Sequence, residues 1–177
     1  FEPMFAGYGG EILYKPFKRN YGIGVELWQV HQREYKQLFG FKDDKYETLT
    51  GHVNLYYREP TSRVLLHVKG GKYLAQDSGF TFSASRDFRS GLNMGVFFSL
   101  TDISKEEFGE GSFDKGFFFS LPIQVFFDKY SRGQSGFGLR PLTRDGAQSL
   151  VHAQTLWSTT YQANQDQMIN NWDTFYD

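Results

Sequence analysis

The chain has no cysteine, no excess of either charge and no long apolar run. Without cysteine there is no thiol nucleophile, no cysteine-based zinc site and no disulfide framework. Its 19 basic and 20 acidic residues are scattered for a net charge of −1. That leaves no electrostatic footprint for nucleic acid and no polybasic membrane patch. The apolar runs are too short for a transmembrane helix, so any membrane role must come through strands. Nucleotide and hydrolase signatures are missing too: there is no GxxxxGKS or GxxxxGKT loop, and neither Ser112 nor Ser135 lies in G-x-S-x-G. The expectation is a protein that is not an enzyme and uses no cofactor.

What the chain does have is aromatic residues and glycine. Aromatics make up 19%, with 19 Phe, 11 Tyr and 19 Gly, a combination suited to a curved sheet with aromatic belts. At 177 residues it is one domain or a piece of one. The stretch Glu106 to Phe127 is the most informative. An acidic, glycine-broken loop runs into Phe117, Phe119, Leu121, Ile123, Val125 and Phe127 on alternate positions. Period-two alternation is a strand with one apolar face.

The same alternation recurs. Ile12 and Tyr14 oppose Glu11 and Lys15; Ile23, Val25 and Leu27 oppose Gly24, Glu26 and Trp28; Leu49, Val53, Leu55 and Tyr57 oppose His52, Asn54, Tyr56 and Arg58. Further strands follow around Val64 to Lys69, Phe80 to Ser85, Leu92 to Thr101 and Ser135 to Arg140. Eight strands are expected, joined by connections that run short, long, short, medium, short, long, short. Val151, Ala153, Thr155, Trp157, Thr159 and Tyr161 suggest a ninth. Residues 1–161 are thus assigned to strands and loops and 162–177 to a tail, loop or weak helix. Alternating short and long connections are those of a membrane barrel with tight periplasmic turns. A first strand starting at the outer face, and a first residue Phe1 with no leader, point to a fragment of a longer or processed protein.

The polar side of the strands distinguishes a lumen from a wet outer surface. It carries Gly24, Glu26, Trp28, His52, Asn54, Tyr56, Ser83, Asn93 and Gln124, not the Lys, Glu and Thr of a solvent-facing sheet. Aromatics gather near the strand ends, Tyr14, Phe17, Tyr21, Tyr57, Phe88, Phe127 and Tyr130 at the short turns and Tyr8, Tyr35, Phe80 and Phe117 toward the other end, as in two interfacial girdles. The expected fold is an all-β, antiparallel transmembrane β-barrel of eight or nine strands, part of a larger barrel. A soluble β-barrel with its apolar face inward and a small apolar ligand is the alternative.

Three constellations carry candidate chemistry. Glu26, Trp28, His52, Asn54, Tyr56 and Arg58 form a row on the polar face, a wall for glycan contacts in which aromatic faces stack on pyranose rings. The alternative is a polar interior that satisfies itself. Phe108, Glu110, Phe113, Asp114 and Lys115 form a loop that shapes the barrel mouth; its carboxylates are also oxygen ligands of the Ca²⁺ type, but no metal is assigned. Arg140, Arg144 and Asp145, in RPLTRDG, read as a structural corner with an Arg–Asp pair or a docking point. His52 and His67 fall on neighbouring strands, opposite or diagonal to each other, without a third zinc ligand.

EPMFAGYGGEILYKPF at 2–17, EEFGEGSFDKGFFFSLPI at 106–123 and LRPLTRDGAQ at 139–148 resemble the C-terminal region of the YjbH/GfcD-like family, encoded with exopolysaccharide and group 4 capsule genes. The resemblance implies a Gram-negative outer-membrane barrel in export or assembly of an extracellular polysaccharide. It also implies outer-membrane lipid, polysaccharide and other export-system proteins as partners. A structural barrel anchoring a periplasmic partner stands beside it. The family's members are longer than this chain, and Phe175-Tyr176-Asp177 departs from the terminal aromatic of barrel assembly signals.

Overall fold

The computed structural model describes residues 4–33, 46–88, 90–103, 114–123, 134–140, 146–152 and 154–162. Eight strands form one antiparallel sheet: β1 (Phe5–Tyr14), β2 (Tyr21–Gln32), β3 (Glu47–Glu59), β4 (Val64–Lys72), β5 (Ser78–Asp87), β6 (Asn93–Thr101), β7 (Asp114–Pro122) and β8 (Gln134–Leu139). Each strand pairs with its neighbours in the sequence, so the sheet is a continuous meander. Among the described residues β1 and β8 do not pair with each other, and the sheet is open.

The alternation expected from the sequence sets which way every side chain points. Register places Tyr21 beside Tyr57, Ile23 beside Leu55 and Val25 beside Val53, all on one face. On the other, Gly24 meets Asn54 and Glu26 meets His52. The two faces have opposite environments from those of a soluble sheet. Val25 and Leu55 are 51% and 47% exposed, whereas His52 and Asn54 are 4% and 3% exposed. The exposed apolar face continues through Phe80, Met94, Val96, Phe117, Phe137 and Leu139 to the last strand.

Hairpins close with local chemistry. The Glu59 carboxylate accepts from the backbone N–H of Thr61 at 3.0 Å and from that of Ser62, tying the β3–β4 turn. At the β5–β6 turn the Asn93 amide donates to Asp87 at 2.7 Å. On the inner face, glycines make hollows for aromatic partners. Phe118 lies over Gly95 and Phe97 over Gly116, where an added Cβ would stand 2.7 Å from either ring. Such glycine–aromatic pairs fix register in a curved sheet.

Two expectations need correcting here. β7 ends at Pro122, which has no N–H to continue the ladder. Ile123 therefore lies beyond the strand, and Gln124, Val125 and Phe127 lie outside the described residues. The short break expected from Asp128 to Gln134 lies outside the described residues up to Gln134, where β8 begins.

The suggested ninth strand is absent among the described residues. Its C-terminal part is helix α1 (Leu156–Gln162). Thr155 starts it: its Oγ1 accepts from the Ser158 N–H at 3.2 Å, while Ser158 Oγ accepts from the Thr155 N–H at 3.1 Å. This reciprocal cap satisfies two donors that a strand would have needed to pair elsewhere.

Candidate functional site

The buried polar face is the site, and the chain itself covers it. Residues 146–152 and 154–162 run across the inner side of β1 to β4, held at several points. The Ala147 N–H donates to Asp77 at 2.9 Å and the Leu74 N–H to the Gln148 carbonyl at 2.9 Å. Lys69 Nζ donates to Ser149 Oγ at 2.6 Å. His152 Nε2 lies 3.4 Å from Glu26, and its ring is 4.7 Å from that of Trp28. Finally the Leu156 N–H donates to Glu11 at 2.9 Å.

Trp157 is the anchor. Its ring is 4.2 Å from Tyr56 and within 4° of parallel, and His67 stacks on Tyr56 at 4.4 Å and 8°. Two parallel rings at those distances must occupy opposite faces of Tyr56, so the three form a column. Lys15 Nζ sits 4.8 Å from the Trp157 ring centre. Burial, and secondarily the charge of Arg58, lowers the Lys15 pKa from the usual lysine value. Gly22 lies beneath the indole, where an added Cβ would be 2.8 Å from Trp157 Cζ3.

The residues expected to form a glycan wall are brought together, and they are engaged. His52 Nδ1 donates to Glu26 Oε1 at 2.8 Å, and His67 Nε2 to Asn54 Oδ1 at 2.9 Å. Arg58 faces Asp87 at 3.8 Å. Trp28 and Tyr56 hold His152 and Trp157. His52 and His67 do not face each other: His52 pairs with Gly71 and His67 with Tyr56, two inward-facing rows apart. Further along, the hydroxyls of Tyr73, Thr81 and Ser99 link in 2.7 Å steps.

Of the mouth loop, Phe108, Glu110 and Phe113 lie outside the described residues. Asp114 and Lys115 open β7, with Asp114 buried. Arg144 and Asp145 of the expected corner are likewise outside. Arg140 instead grips Asp114 with two bonds, Nε to Oδ1 at 2.9 Å and Nη2 to Oδ2 at 2.5 Å. Sequence reasoning missed His152, Ser149 and Trp157. One signal was available: Thr155 and Ser158 bracket Trp157 at the spacing of a helix cap, and Gly22 on the polar parity of β2 leaves a hollow, which the indole fills.

Comparison with known proteins gives the relationship. Over 163 residues the chain is 37% identical to a protein named uncharacterized lipoprotein YjbH from Escherichia coli (strain K12). The match covers 90% of this chain and 23% of that relative, so the chain spans about a quarter of the relative's length. No solved structure matches. The family model described as exopolysaccharide biosynthesis protein YbjH matches residues 1–162, a stretch that takes in all eight strands and the helix seated on them, and the chain therefore belongs to the YjbH family of exopolysaccharide biosynthesis proteins.

Proposed function

We propose that this chain is a stretch of an outer-membrane β-barrel that takes part in export or assembly of an extracellular polysaccharide. One observation carries the reading: seven of the eight strands carry exposed apolar side chains, while the polar face of β2 and β3 is buried. In water, so large a contiguous apolar surface is an aggregation hazard. Against lipid it is the required outer wall, with polar residues in the lumen. Tyr14, Phe17, Tyr21 and Tyr57, all exposed at the short-turn end, supply an interfacial girdle. The soluble barrel with an inward apolar face is disfavoured by the same exposure. The relative's designation as a lipoprotein and the family's description supply the membrane and polysaccharide context.

A second reading, a barrel that anchors a periplasmic partner, draws support from the segment 146–162 filling the inner face. The test uses the full-length protein. It should fractionate with the outer membrane, migrate faster on SDS gels before boiling than after, and be needed for secreted polysaccharide. A soluble protein with no heat shift refutes the barrel. Steady conductance in planar bilayers favours a conduit, and its absence favours the anchor.

A further inference from the structure

A cavity of about 970 Å³ opens beside the seated segment, between Met4, Gln32, Tyr46, the 74–77 turn and Asp102. Its volume is near the top of the roughly 300–1,000 Å³ range of small-molecule sites, room for an oligosaccharide more than for one sugar. None of the residues of the glycan wall described above contributes to it.

Its chemistry is specific. Three carboxamides, Gln32, Gln76 and Gln148, line it together with the carboxylates of Asp77 and Asp102. Amides and carboxylates are planar groups that take adjacent hydroxyls in pairs. Asp77 is 5% exposed; its Oδ2 holds the Ala147 N–H, while Oδ1 has no hydrogen-bond partner. A buried carboxylate oxygen left without a donor needs a reason in a native structure, and Asp77 stands in the wall of this cavity. Tyr46 adds an aromatic wall, fixed by its hydroxyl donating to the Leu74 carbonyl at 2.6 Å and by Phe5 edge-on to its ring. The charged side chains among its described lining residues, Asp77 and Asp102, are both acidic.

We propose that this cavity is a glycan subsite at the barrel mouth, selective for uncharged or amine-bearing sugars over acidic ones. The inference rests on the exopolysaccharide reading above and goes beyond it in naming the site and the sugar class. Like charge disfavours a uronate polymer against Asp77 and Asp102, whereas an amine or hydroxyl is welcomed by the same groups.

The experiment is saturation-transfer NMR and calorimetry on the full-length protein in detergent. The probes are cellohexaose, a chitosan hexamer and a galacturonic acid hexamer. Binding of either of the first two, with the galacturonic acid hexamer at least tenfold weaker, is the expected result. Gln32→Leu combined with Gln148→Leu should weaken binding about tenfold, through loss of two ligand hydrogen bonds. The heat shift on SDS gels reports whether that variant is folded. Should it fail, Gln76→Asn keeps a residue that tolerates the φ of 67° while drawing the amide back, with the same direction of effect. Equal or tighter binding of the acidic hexamer overturns the proposal, as does binding that both variants leave unchanged. No hexamer bound by a heat-shifting barrel overturns the subsite and leaves the barrel reading intact. Selective binding by a protein that proves soluble does the reverse.

Discussion

Trp157→Ala should release helix α1 from the inner face. The indole is 7% exposed, stacked on Tyr56 and within cation–π reach of Lys15. The stack contributes about 1 kcal/mol and the ammonium roughly 0.5 kcal/mol beyond burial. With the loss of packing over Gly22, the total is about 3 kcal/mol, at the low end for a buried tryptophan. That is roughly a hundredfold shift toward the undocked state. Hydrogen exchange measured by mass spectrometry on residues 154–162 of the full-length protein reads it directly. A helix of 7 residues has no stability of its own in water, so its amide protection measures docking alone. Protection in this peptide should fall about a hundredfold while that of β3 stays as it was. A change under threefold would refute Trp157 as the anchor, and equal loss in β3 would mean the substitution unfolded the sheet instead.

Gly22→Ala should act on the same contact from beneath. A Cβ 2.8 Å from Trp157 Cζ3 must push the indole aside, for roughly 1 kcal/mol and about fivefold less protection of α1, with no further loss in a Trp157→Ala background. Val53→Arg, on the exposed apolar face, should cost about 2–4 kcal/mol in a bilayer and next to nothing in water. Reduced outer-membrane insertion in a vesicle folding assay is the expected outcome, and wild-type folding would count against lipid contact. Arg140→Ala should strand the buried Asp114 carboxylate. Because the arginine is 39% exposed, the expected cost is only about 2 kcal/mol, read as a lower temperature for loss of the fast-migrating band.

The strands were legible because their period is local: each alternating run needs only its own residues. The outward direction of the apolar face was legible as well, from Gly24, Glu26, Asn54 and Ser83 on the polar parity, groups that suit a shared interior better than open water. The seating of 146–162 was not. Val151 to Tyr161 alternate as a strand would, and what overrides that pattern lies far away in the sequence. The hydrogen bond from Leu156 to Glu11 spans 145 residues, and Trp157 needs both Gly22 and Tyr56. Arg140 shows the same limit on a smaller scale. Asp145 is its near neighbour in sequence, but the antiparallel pairing of β7 with β8 brings Asp114 within reach.

The way the segment is seated also bears on how the sheet assembles. Gly22, Glu26 and Trp28 all face inward on β2, and Tyr56 does so on β3. A slip of β2 by one residue would turn its three to the exposed apolar face and present Ile23, Val25 and Leu27 to the covered one. Trp157 would then lose its hollow, and His152 its carboxylate and its indole together. Residues 146–162 can therefore seat only on strands already in register. Their contacts thus favour the native pairing of β1, β2 and β3 over a slipped one.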